Sequence, residues 1–181
     1  MSGADFGGLE VIGRPPPAKA SPRRAPLLFL HGAYAAAWCW DEHFLPYFAE
    51  RGYASHALSF SGHGASPGRE HLDSFGIDHY VRDVAAVAET LPAPPVLVGH
   101  SMGGMVAQKY LEKHEAAGLV LMASVPPQGL WAAALGLAFQ KPGLINDLNR
   151  LLGGGRVALD TLRSAMFAQP VTKEDLARWY K

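Results

Sequence analysis

Pro95-Val96-Leu97-Val98-Gly99-His100-Ser101-Met102-Gly103-Gly104 is the stretch whose reading decides the fold of this chain. A short apolar run ends in a glycine, and a serine then stands between Gly99 and Gly103 in the pattern G-x-S-x-G. Immediately afterwards Met102, Val106 and Tyr110, with Met105 and Leu111, recur at helical spacing. Strand, sharp turn and helix therefore follow one another. A serine on so tight a turn takes a strained backbone, and side chains two residues to either side would collide with the strand and the helix. Glycine at both places removes that collision.

The neighbouring segments repeat the alternation. Residues 9–12 read as a first strand, and Pro15-Pro16-Pro17 through Pro26 as a proline-rich connecting loop. Residues 27–30 are a buried strand ending in His31-Gly32, and residues 53–60 give another, followed by Gly62-His63-Gly64-Ala65-Ser66. Between them Asp41 caps a helix over 41–51 with Phe44, Leu45 and Phe48 inward. Tyr80, Val81, Val84, Val87 and Leu91 mark a helix over 75–91, the helix after Ser101 runs to about His114, and residues 119–122 form a last apolar strand. Such alternation predicts an α/β fold, a mainly parallel sheet with helices on both faces. From Pro126 onward the character changes to helical stretches at 130–139, 144–152, 157–167 and 173–180, with no clear strand. The expected division is a sheet core over 1–125 and a helical segment over 126–181.

Composition narrows the partners. Formal net charge is zero, so nothing electrostatic recommends nucleic acid or an anionic membrane. The pair Arg23-Arg24 lies in the proline-rich loop and reads as solvated charge. Cys39 is the only cysteine and cannot form an internal disulfide. The N-terminus has neither a basic nor an apolar leader region, and no apolar run reaches the length of a membrane span. A cytoplasmic protein acting on a small molecule is the expectation.

His31-Gly32-Ala33, the loop Gly62 to Ser66, the turn at Ser101 and the apolar helical region after Met122 together resemble the α/β-hydrolase family, over roughly residues 9–181. In that family catalytic groups gather at the carboxyl ends of the strands, where all three glycine-containing turns fall. The resemblance implies that Ser101 is a nucleophile attacking an ester-like carbonyl through an acyl-enzyme. It also implies that the backbone N–H groups of Ala33 and Met102 form the oxyanion hole, each worth about 3 kcal/mol to the transition state. Trp38, near that loop, and Trp131, in a helical cap, would border an apolar acyl or aromatic substrate. Plain packing explains Trp38 as well, and a core helix or subunit contact explains the cap pattern as well. In the family His31 and His100 hold the loop or pack under the turn, and His63 reads as a turn-stabilising residue. No H-E-x-x-H and no Cys/His cluster occurs, so no metal or other cofactor is expected.

A serine nucleophile needs a histidine base oriented by a carboxylate, and the family order along the chain is serine, acid, histidine. No histidine follows His114, and Ala123-Ser124-Val125 offers no acid after the last strand. Asp147, Asp160, Glu174 and Asp175 fall in the cap-like helices and read as surface charges. The expectation is therefore a truncated or cleaved hydrolase, or one that takes its remaining strands, acid and histidine from another polypeptide. Residues 119–122 would then be an uncovered apolar edge. The leading reading is an esterase-type serine hydrolase. Alternatives are a catalytically dead binding or assembly module, or a same-fold haloperoxidase or hydroxynitrile lyase; serine at 101 disfavours an aspartate-nucleophile dehalogenase.

Overall fold

The computed structural model describes residues 6–19, 25–33, 35–129, 163, 169–172, 174 and 175. The chain divides into two compact units, Met1–Pro127 and Gln128–Lys181. In the first unit, strands β1 (Val11–Arg14), β2 (Leu27–Leu30), β3 (Ser55–Leu58), β4 (Val96–His100) and β5 (Gly118–Met122) form one sheet ordered β1-β3-β2-β4-β5. Strand β1 runs antiparallel to β3, and the other three pairings are parallel. Helices α1 (Trp38–Asp41), α2 (Phe44–Glu50), α3 (Ile77–Ala88) and α4 (Met102–Tyr110) connect the parallel strands.

Alternation along β2 splits the core in two. Leu28 and Leu30 pack with Val84, Val87, Leu97 and Val106 beneath α3 and α4. Leu27 and Phe29 pack with Trp40, Leu45 and Val98 beneath α1 and α2. A strand buried on both faces needs an unbroken apolar run, and Leu-Leu-Phe-Leu supplies one. The expected two-faced, mainly parallel sheet is thus what the chain forms. Among the described residues strand β5 pairs with β4 alone, and its Val120 and Leu121 are 45% and 44% exposed.

Several elements differ from the sequence reading: the first strand is Val11–Arg14 rather than 9–12, and the helix expected over 75–91 is Ile77–Ala88. The helix expected over 41–51 is two helices, because Pro46 has no N–H to donate back to Glu42. Nor does Asp41 cap it: its two carboxylate oxygens accept from Nε and Nη2 of Arg14, both at 2.7 Å. A 3₁₀ turn, Arg69–Ser74, precedes α3 without any apolar period to announce it. Helix α4 ends at Tyr110 rather than near 114. The helical readings after residue 129, and Trp131 with them, lie almost wholly outside the described residues. Among the described residues no helix is long and apolar enough to cross a membrane.

Candidate active site

Ser101 joins β4 to α4 with φ 53° and ψ −117°. A non-glycine residue there stores about 1–3 kcal/mol of strain, so the surroundings must hold it in place. They do so through the backbone. Ser101 N–H donates to Met122 O at 3.1 Å, and Ser101 O accepts from the amides of Gly104, Met105 and Val125 at 3.1, 3.3 and 3.0 Å. Ala123, with φ 42°, turns the chain after β5 so that the Val125 amide comes back to the serine. Gln108 ties α4 to the same turn, its Nε2 lying 2.9 Å from Ser124 Oγ and 3.2 Å from Val125 O. In sequence Gln108 is only a polar residue on a helix, and nothing marks it as a clamp.

The turn after β2 lies against this elbow. A Cβ built on Gly32 would come within 3.1 Å of Ser101 Cβ and 3.0 Å of His100 Nδ1, closer than ordinary van der Waals contact, so the two turns are tightly apposed. Ala33 follows it and is exposed. Met102 opens α4, whose first turn carries no side-chain cap; the Gly104 and Met105 amides are taken by Ser101 O, and the Met102 N–H ahead of them is the one that can face an acceptor. Trp38 opens α1 and is 40% exposed.

His31 is fully buried. Its Nδ1 donates to Gly32 O at 2.7 Å and its Nε2 accepts from Phe60 N–H at 3.1 Å, which fixes the neutral tautomer and leaves no nitrogen for proton transfer. Burial, the largest cause, pushes its pKa down from 6.5 to about 4. His56, His63 and His100 are shifted down for the same reason. Because the folded state then binds fewer protons than the unfolded chain, stability is complete above pH 6.5 and falls as pH drops from 6.5 towards 4. The His31 share is on the order of 3 kcal/mol. In a pH series of NMR spectra its ring resonances are expected to stay those of a neutral imidazole down to about pH 5; titration near 6.5 would contradict the geometry.

A Ser/His/Asp grouping sits just after β3. Buried Asp83 accepts from Ser61 N–H at 2.8 Å and from Ser61 Oγ at 2.9 Å, and His79 Nε2 lies 3.2 Å from that hydroxyl. Here the serine donates its proton to the carboxylate and is itself buried, so the group anchors the Gly62 turn and offers no nucleophile. Burial raises the Asp83 pKa, with the Ser61 bonds opposing it. Burial likewise pushes the Cys39 thiol up to about 11, which keeps it protonated and inert at neutral pH. A cavity of about 410 Å³ runs between the start of α3 and α4, lined by Ile77, His79, Arg82, Met105 and Lys109 among others. Ser101 is not part of its wall.

A mostly parallel sheet with a strained serine at a strand-to-helix elbow, and a glycine-bearing turn from the next strand pressed against it, defines the α/β-hydrolase class. The comparisons agree: the alpha/beta hydrolase family model matches residues 27–181, and the chain belongs to that family. It is 32% identical over 101 residues to a pyrethroid hydrolase of Sphingobium wenxiniae, a match covering 55% of this chain and 35% of that protein. It is 38% identical over 106 residues to a non-heme haloperoxidase of Rhodococcus erythropolis, covering 56% and 38% respectively. Among solved structures, a probable hydrolytic enzyme of Pseudomonas aeruginosa PAO1 superposes with TM-score 0.69 at 23% identity, over 95% of this chain and 53% of that one. The matched region thus spans well under half of these curated relatives.

Proposed function

We propose that residues 1–181 carry the nucleophile and oxyanion part of a serine hydrolase acting on carboxylic esters or related acyl compounds in the cytoplasm. The observation that carries this reading is Ser101 itself, held at φ 53° beside the open N-terminus of α4. Its Oγ attacks the carbonyl carbon, and the N–H groups of Met102 and Ala33 receive the developing oxyanion. Collapse of that intermediate expels the alcohol and leaves an acyl-serine, which water then hydrolyses. Trp38, exposed at the start of α1, flanks the acyl group in this reading.

The proton from Ser101 must go to a base. Among the described residues no histidine ring hydrogen-bonds to the Ser101 hydroxyl, and His31 has both ring nitrogens committed. In this reading the histidine and its orienting acid are supplied from outside residues 1–181. A fluorophosphonate probe and an activated short-chain ester test this. Labelling and turnover are expected to rise by about a thousandfold or more when a segment carrying histidine and aspartate is joined to or mixed with residues 1–181. Full turnover by residues 1–181 alone would refute the absent base. No labelling in either case, with small-molecule binding retained, would favour a binding module instead.

A further inference from the structure

We infer that Glu10 and Ser59 form a positioning relay for the turn that presents the Ala33 amide. Glu10 precedes β1, and its carboxylate reaches the far ends of two other segments. The Ser59 hydroxyl donates to Glu10 Oε2, and the Ala65 amide donates to the same oxygen at 3.0 Å. With its proton committed to Glu10, the Ser59 hydroxyl turns a lone pair to the Ala37 amide, which donates to it at 2.9 Å. Ser59 and Ala37 are both fully buried, so that amide has no solvent to fall back on. The backbone agrees: Ser59 N–H donates to Glu10 O at 2.9 Å, and Glu10 N–H donates to Ser66 Oγ, also at 2.9 Å.

Packing gives independent support. Gly64 has φ 55°, and a Cβ there would strike the Glu10 carboxylate, stand 2.6 Å from Ser59 Oγ and 3.1 Å from Ala36 Cβ. The loop after β3 is thus laid directly on the relay and on the residue before Ala37. His31 holds the backbone before Ala33 at Gly32 O, and Ser59 holds the backbone after it at Ala37. Ala33 lies between the two anchors, and displacing an oxyanion donor by a fraction of an ångström weakens it where charge develops. Glu10 and Ser59 touch no substrate and act through the backbone they fix.

The kinetic part of the test rests on the hydrolase reading, and the exchange part does not. In the active protein, Ser59→Ala and Glu10→Ala are expected to lower kcat about ten- to a hundredfold with KM changed less than about twofold. Hydrogen exchange at the Ala37 amide is expected to speed up in both. Because a single oxygen of Glu10 accepts both bonds, Glu10→Gln can still present a carbonyl oxygen there, and it is expected to recover most of kcat and of the Ala37 protection. Glu10→Gln as damaging as Glu10→Ala, or kcat losses that follow melting temperature alone, would overturn the relay. If the wild-type protein hydrolyses no ester, the hydrolase reading fails, while unchanged Ala37 exchange in Ser59→Ala would still overturn the relay by itself.

Discussion

Replacing Ser101 by alanine is expected to remove fluorophosphonate labelling entirely and to lower ester turnover, once the base is supplied, by about a hundred-thousandfold or more. The buried serines Ser59 and Ser61 that follow β3 cannot inherit the role. Ser61 is buried with its O–H donated to Asp83, and Ser59 is buried with its O–H donated to Glu10. Two companion variants separate chemistry from backbone. Ser101→Ala keeps a Cβ at φ 53° and is expected to leave stability within about 0.5 kcal/mol of the parent. Ser101→Gly relieves the strain and is expected to raise stability by about 1 kcal/mol while remaining equally dead. Denaturant melts of the three proteins, read beside their labelling, check the pair. Residual labelling of Ser101→Ala at a tenth of the parental rate would show that the nucleophile lies elsewhere.

How much of this was legible beforehand follows from where each signal resides. The elbow could be read because its requirements are local: an apolar run, a serine flanked by glycines, and a helical period within sixteen residues, from Pro95 to Tyr110. Strand β2 could be read because four consecutive aliphatic and aromatic residues have few other uses. The break between α1 and α2 is partly local, since Pro46 announces it, but the Arg14–Asp41 pairing that takes the expected cap is 27 residues long-range and has no sequence signature. Glu10, Ser59 and Asp83 were missed for the same reason. Each acts through partners between 22 and 56 residues away, and an isolated Glu in a first strand or Asp in an amphipathic helix reads as solvated charge. The expectation that the base comes from elsewhere rests on an inventory of a different kind, the positions of the eight histidines along the chain.

Gly103→Ala is expected to cost about 3 kcal/mol or more, enough to leave little folded protein in a domain of ordinary stability. A Cβ on Gly103 would stand 2.5 Å from His31 O, closer still to Leu30 O, and 2.7 Å from the Leu30 carbonyl carbon. These are backbone atoms at the end of a strand buried on both faces, so they cannot swing aside as a flexible side chain would. Only withdrawal of α4 from β2 relieves the overlap, and that separates Ser101 from the Gly32 turn. Gly104→Ala meets a different obstacle, the Ser124 side chain, whose Cβ would be 2.6 Å away. Its cost is expected to be smaller and to be relieved in part by Ser124→Gly, although Ser124→Gly also removes the hydroxyl beside Gln108. Gly76→Ala, with nothing within 4 Å of the added carbon, serves as the control and is expected to shift stability by less than about 1 kcal/mol. Urea melts of these variants order the three sites. A Gly103→Ala protein as stable as Gly76→Ala would mean that α4 does not press on β2, and the contact that brings the Gly32 turn to Ser101 would fall with it.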